Sequence, residues 1–429
     1  MNAAPDTRPG ARSPAGFYGW RMVGLASLVG VLTGPGQSIG VSVFRQHLSD
    51  GLNLSDSAIA TAYLLGTLLS STCQPRIGRW VDRVGVRRAS TVFGVAFAVV
   101  LAHMSMVRGV VWLAAGFFGI RLLGQGALSL TSTVAVMHWF DRRRGFALGV
   151  KMTLTMGGMS VVPILLAVAI NAWGWRLAWV AASVAIALTA VPVSWFGYVN
   201  RPADLGQLPD GGQPVHVHRH DSVTHSVNRA MALRSTAFWA LAAVTATNSL
   251  LGTGLLFHQT NLLGEIGYSN AQAAAMFLPQ AVGAVIGGLA FGWLADRAAR
   301  PILPTVVALL LASTMLLGGT ATAFPAVLLY SVVLGMTMGS GAAVQSSLLP
   351  ALFGMGHIGS ISGTVGLISV LASSLGALTF SLGSIVFGDY RSASLWFTVL
   401  PLLAALFAAL SRRHFAVETT SSGNRRTTG

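Results

Sequence analysis

The feature that most constrains this chain is a succession of continuous apolar runs, each about 20 residues or longer, separated by short polar turns along nearly its whole length. A helix rising 1.5 Å per residue needs about that many residues to cross the hydrocarbon of a bilayer. Charged residues are only 9% of the 429 and hydrophobic ones 53%, whereas soluble domains carry about 25% charge. Water is therefore not the main solvent. The runs do not alternate polar and apolar, so helices, which satisfy their own backbone in lipid, are expected rather than a barrel. The composition excludes collagen, a coiled coil and a disordered regulator. With Cys73 as the single cysteine, an intrachain disulfide is impossible.

The punctuation sets the count. Apart from a polar leader (1–16), a polar middle stretch (200–235) and a tail (412–429), the chain divides into twelve segments of about 30 residues, each one crossing plus a turn. The expected spans begin near Trp20, Ser57, Ala89, Val110, Gly145, Arg176, Thr236, Ala271, Pro301, Pro325, Gly359 and Ser392. The fold class is thus all-α integral membrane, with twelve transmembrane helices in two six-helix halves, 17–199 and 236–411, joined by the linker 200–235. The leader lacks a short apolar core with a cleavage site, so it reads as a cytoplasmic tail.

Charge then fixes the expected orientation. With both ends inside, the cytoplasmic turns collect Arg76, Arg79, Arg83, Arg87 and Arg88, then Arg142, Arg143 and Arg144, then Arg201, Arg219, Arg229, Arg234, Arg297 and Arg300, with more in the two tails. The outer turns hold only Arg45, Arg108, Arg176 and Arg391. This bias is the positive-inside pattern, and it explains the net charge of +15 without nucleic acid.

Two turns repeat in register: Gly78-Arg79-Trp80-Val81-Asp82-Arg83 after span 2, and Gly292-Trp293-Leu294-Ala295-Asp296-Arg297 after span 8, 214 positions later. Six spans, a linker and six more is the layout of two related halves around a central path. The first turn, extended through Gly85, Arg87 and Arg88, resembles the loop 2–3 signature of the major facilitator superfamily, and the second its weaker copy. Arg121-x-x-Gly124-x-Gly126 on span 4 resembles that superfamily's span-4 arginine motif, and Gly157-Gly158 with Pro163 its span 5. Tyr18-Gly19-Trp20-Arg21, Trp139-Phe140, Arg144 to Gly149, Arg201 to Gly206 with Pro209-Asp210-Gly211, and Phe353-Gly354 through Gly363 look like the monocarboxylate and oxalate/formate branch. The resemblance implies a secondary transporter working by alternating access, driven by a proton or counter-substrate gradient. Eukaryotic members of that branch typically carry a span-1 lysine and a span-8 Asp/Arg pair; here span 1 offers Gly34 to Gly40 and span 8 no charge.

All 12 acidic residues fall in turns or tails, which leaves two cations within spans, Arg121 and Lys151, and no anion to neutralise them. Each costs about 2.5–3.5 kcal/mol at mid-bilayer, so it should face water or a partner. A path so lined favours an anion, held bidentately by Arg and as a point charge by Lys. Lys151 is the one lysine of the chain; it either lines the path or, lying six residues past Gly145, snorkels to the surface. Arg121 is either a strut on backbone carbonyls or a substrate ligand.

The neutral candidates for the path are Gln37, Asn248, Gln280 and Gln345, with packing between helices as the alternative use of each. His258, near the outer end of span 7, is a candidate proton carrier or outer gate, or simply a solvated helix end. Gly78, Asp82, Arg83, Gly85, Arg87, Gly292, Asp296 and Arg297 are expected to serve the conformational switch. There, each acid accepts from helix N-terminal amides and pairs with a neighbouring base. Glycines four apart, including Gly145/Gly149, Gly288/Gly292 and Gly359/Gly363, let helices approach closely. His216, His218, His220 and His225 read as a solvated linker rather than a metal site.

The expectation is a monomeric, multi-pass transporter of the bacterial cytoplasmic membrane. It carries a small organic anion, with no cofactor, no metal and no covalent chemistry. An exporter of a hydrophobic drug or specialised metabolite is the alternative, and a non-transporting membrane sensor the third.

Overall fold

The computed structural model describes residues 16–211, 227–297 and 301–413, and among them every regular element is helical. Nine helical stretches within this range are long and apolar enough to cross a membrane, among them Val110–Trp139, Phe324–Phe353 and Ile358–Phe387. The other expected crossings differ from a plain apolar rod for local reasons. The second, Asp56–Val84, carries Arg76, Arg79, Asp82 and Arg83 in its last turns. The fifth and sixth lie in one stretch, Arg144–Gly197, which turns at Gly174, where φ is +80° and a side chain would be strained.

The first expected span is broken. Gly19–Leu32 stops at Thr33, Gly34–Gly36 makes a single tight turn around Pro35, and a new helix runs Ser38–Leu52. Glycine and proline remove the helical bonds here, and the gap admits a neighbour: a Cβ on Gly36 would lie 2.6 Å from the Ile120 carbonyl of span 4. Span 4 answers with its own irregularity, a wide π-helical stretch over Arg121–Leu128. π-Turns of this kind recur at functional sites.

The packing repeats between the halves. Span 2 lies against span 4 as span 8 lies against span 10, span 1 against span 5 as span 7 against span 11, and span 3 against span 6 as span 9 against span 12. The halves meet most extensively where span 2 lies on span 11 and span 5 on span 8, with span 10 also touching span 5 and span 11 touching span 4. A large core fills the N-terminal half and reaches into the C-terminal one around Val307, Val344 and Ile361. A second lies around Leu251, Met315 and Tyr330. The outer surface displays leucine, valine and phenylalanine, as expected of a surface facing lipid.

Candidate functional site

Arg121 is brought to the central cavity by the paired irregularities of spans 1 and 4. The broken end of span 1 places Ser38 there, and Arg121 Nη1 donates to the Ser38 hydroxyl at 3.4 Å. Ser38 and Tyr63 share a hydrogen bond of 2.8 Å, and the guanidinium sits 5.1 Å from the Tyr63 ring centroid. Arg121 is 5% exposed, its Nε has no partner, and among the described residues no carboxylate meets it. The cavity, about 600 Å³, is further lined by Gln125, Asn248, Gln345, Ser369 and Phe257.

Lys151 lies in a smaller chamber of about 280 Å³ next to the first, and Gln125, Gln345 and Ser369 line both. Its ammonium donates to Thr133 at 3.2 Å and is 5% exposed, so it does not snorkel to the surface. The two intramembrane cations thus line adjoining chambers on the side of the N-terminal half.

The opposite wall is neutral. Asn248 and Gln345 both reach the cavity, and the Asn248 carbonyl oxygen is buried without a partner. Beside them, spans 7 and 11 are joined by two hydroxyl pairs, Ser249 with Ser369 at 2.7 Å and Thr253 with Ser373 at 2.9 Å.

Other candidates stand elsewhere. Gln37 is turned back along its own span, donating to Thr33 at 3.1 Å, and the next residue, Ser38, takes the cavity position because the break rotates the helix there. Gln280 bonds to Gln259 at 2.5 Å, and Gln259 in turn to the Ala273 carbonyl. This buried amide relay ties the short helix Gln259–Gly264 after span 7 to span 8, away from the cavity. His258 is buried behind the cavity wall rather than solvated: Nε2 donates to the Ala377 carbonyl at 2.9 Å and the ring stacks on Tyr390 at 4.8 Å. His216, His218, His220 and His225 lie outside the described residues.

The repeated turns meet across the halves. The Asp82 carboxylate accepts from the amides of Gly359 and Ser360, at 2.7 and 2.9 Å, which open span 11. The Asp296 carboxylate accepts from those of Gly145 and Phe146, at 2.6 and 2.8 Å, which open span 5. Each acid caps the positive end of a helix from the other half. Beside each cap two glycines touch through backbone, Gly78 against Gly359 and Gly145 against Gly292, where a Cβ on either partner would strike a carbonyl.

Among the described residues neither neighbouring arginine pairs with its acid. Asp82 bonds to amides and not to Arg83, and Arg297 lies over the Trp293 ring at 3.7 Å. Arg87 stays within its own half, with Nε on the Trp195 carbonyl at 2.6 Å, and Gly85 supplies the φ of +86° that turns the chain beneath it. With both caps formed, the face that carries the basic turns is closed, and the cavity extends toward the opposite face, past Phe257 and Ala377.

Comparison with known proteins gives this geometry a lineage. Bovine (Bos taurus) monocarboxylate transporter 13 is 27% identical over 427 residues, covering 94% of this chain and 92% of that protein. The structure of the proton:xylose symporter XylE aligns with a TM-score of 0.67 at 15% identity, covering 91% of this chain and 95% of that one. The E. coli fucose:proton symporter FucP aligns with a TM-score of 0.65 at 14% identity, covering 92% and 99%. The family model of the Major Facilitator Superfamily matches residues 26–377, and the chain belongs to that superfamily of membrane transporters.

Proposed function

We propose that this transporter moves a small organic anion, monocarboxylate-like, across the bacterial cytoplasmic membrane by alternating access, coupled to protons or to a counter-substrate. The observation that carries this reading is the pair Arg121 and Lys151: both are buried, both line the adjoining chambers, and among the described residues neither meets a carboxylate. Two cations without a counter-charge attract an anion. The Arg121 fork suits two carboxylate oxygens, while Lys151, one chamber deeper, suits a single oxygen. The name of the bovine relative supports a carboxylate as cargo.

The basic face is cytoplasmic in this reading, and the closed caps then make the state outward-facing. Asp82 and Asp296 hold that state, and breaking both caps opens the other side. Gly78, Gly85, Gly292, Arg83, Arg87 and Arg297 shape the turns that present them. Asn248 and Gln345 contact the polar part of the cargo.

Counterflow in proteoliposomes tests the substrate class by comparing monocarboxylates, dicarboxylates and lipophilic cations. Exchange of monocarboxylates that is lost in Lys151→Ala is expected. Unaltered affinity in that variant removes Lys151 from the path, and exchange restricted to lipophilic cations replaces the reading with a hydrophobic exporter.

A further inference from the structure

The two caps that close the basic face have the same design but different surroundings. Around Asp296 the nearby bases are occupied: Arg144 bonds to Asp141 and to the Phe140 carbonyl, and Arg297 covers Trp293. Around Asp82 lies a cavity of about 470 Å³, and Arg79, Arg83, Arg229 and His357 line it. Arg79 and Arg83 have no partner among the described residues. Among the described residues Arg229 bonds only through Nε, to Thr364 at 2.9 Å. Among the described residues the one acid lining this cavity, Asp82, is engaged by the Gly359 and Ser360 amides. Three arginines thus line one open space, and among the described residues no further anion matches them.

We propose that this cavity is a binding site for a phosphate-bearing anion, which bridges the turn after span 2, the segment before span 7 and the start of span 11, and so holds the basic face closed. Guanidinium forks fit phosphate oxygens in pairs. A site at the end of the spans is within reach of an anionic phospholipid headgroup as well as of free phosphate. The anion draws together residues from both halves that separate when the face opens, so it favours the closed state by its differential affinity. This site is separate from the substrate path and does not depend on which cargo is carried.

The test uses the full chain carrying Cys73→Ser and Ser374→Cys, which places one thiol on the wall of the central cavity. The protein is reconstituted in phosphatidylcholine vesicles with and without phosphatidylglycerol, in the absence of cargo. Phosphatidylglycerol is expected to raise the rate of maleimide labelling at position 374 on the order of fivefold. Arg79→Gln/Arg83→Gln/Arg229→Gln is expected to return the rate to its phosphatidylcholine value, whereas Arg142→Gln/Arg143→Gln beside the other cap keeps the full response. If the triple variant does not reconstitute, Arg79→Gln and Arg83→Gln singly should each shrink the response. Inorganic phosphate added to phosphatidylcholine vesicles separates the sources: a rise with phosphate assigns the site to a soluble anion, and a rise with phosphatidylglycerol alone assigns it to lipid. The proposal is overturned if neither phosphatidylglycerol nor phosphate changes the rate. It is equally overturned if the Arg79/Arg83/Arg229 variants respond as the parent does, or if the Arg142/Arg143 control loses the response too.

Discussion

The wall that the N-terminal half gives to the central path carries Arg121 and Lys151, while the facing wall offers Asn248, Gln345 and the hydroxyl pairs of spans 7 and 11, with no charge among the described residues. At the basic face the same two halves are nearly interchangeable: each sends one aspartate to the amides opening a helix of the other, and each meets its partner through bare glycine backbone. In the proposed reading, what is duplicated is therefore the closing machinery, and what is not duplicated is the chemistry facing the cargo. Rocking about a pseudo-two-fold axis needs matched contacts on both sides. Holding an anion needs positive charge on only one, and a neutral facing wall can part from the cargo without breaking an ion pair.

The matched gates make the most severe prediction. Gly145→Val places a side chain where the Gly292 carbonyl lies, and Gly359→Val one where the Gly78 carbonyl and the Asp82 carboxylate lie. Either should reduce transport to background while leaving the protein inserted, because closely packed backbones cannot re-form with a branched Cβ between them. Transport at a tenth of the parent rate or more, measured in proteoliposomes, would show that the crossing need not close so tightly.

The unmatched walls make the next one. Arg121→Gln removes a charged partner worth about 1.5–3 kcal/mol, so affinity for an anionic cargo should fall about 10- to 150-fold. Asn248→Ala, on the neutral wall, should cost about 1 kcal/mol, or about fivefold. Equal losses in the two variants, read as half-saturation in counterflow, would erase the division of labour between the halves. Asp82→Asn and Asp296→Asn, by contrast, should slow transport to a similar degree, since each weakens one of two equivalent caps. A large difference between them would break the symmetry of the gates.

Much of this was legible in the residues because lipid leaves so few solutions. Arg121 and Lys151 stood out as cations with no acid in any span, and Asp82 and Asp296 as one motif repeated half a chain apart. Their partners were not legible. Glycine pairs announce close approach, but Gly145 touching Gly292 and Gly78 touching Gly359 depend on which helices cross, and amide groups as receptors for the aspartates leave no mark in side-chain identity. Ser38 rather than Gln37 reaches the cavity because Gly34-Pro35-Gly36 rotates the helix after it, and a rotation at a break cannot be read from uniform periodicity. Gln280 found Gln259, on the short helix Gln259–Gly264 that follows span 7, since a buried polar group in an apolar helix takes a partner within reach. One signal was present and missed: Ser249 and Thr253, like Ser369 and Ser373, stand four apart on one helical face, a spacing that matches polar stripes on two spans.

That stripe gives the smallest and sharpest expectation. Ser249→Ala leaves the Ser369 hydroxyl facing a methyl group, but hydroxyls inside a membrane bundle average about 0.6 kcal/mol per interhelical bond, so the fold should survive with little loss. The same reasoning holds for Thr253→Ala opposite Ser373. If the pairs only tie span 7 to span 11, both variants should lower thermal stability slightly and leave cargo affinity unchanged. If the hydroxyls are shared with bound cargo, affinity should fall in the variants while stability does not, and the neutral wall would then be a second recognition surface rather than a smooth face against which the anion is held. Paired measurement of thermal unfolding in detergent and half-saturation in proteoliposomes separates the two, because a bond between helices and a bond to cargo load the same hydroxyl onto different equilibria.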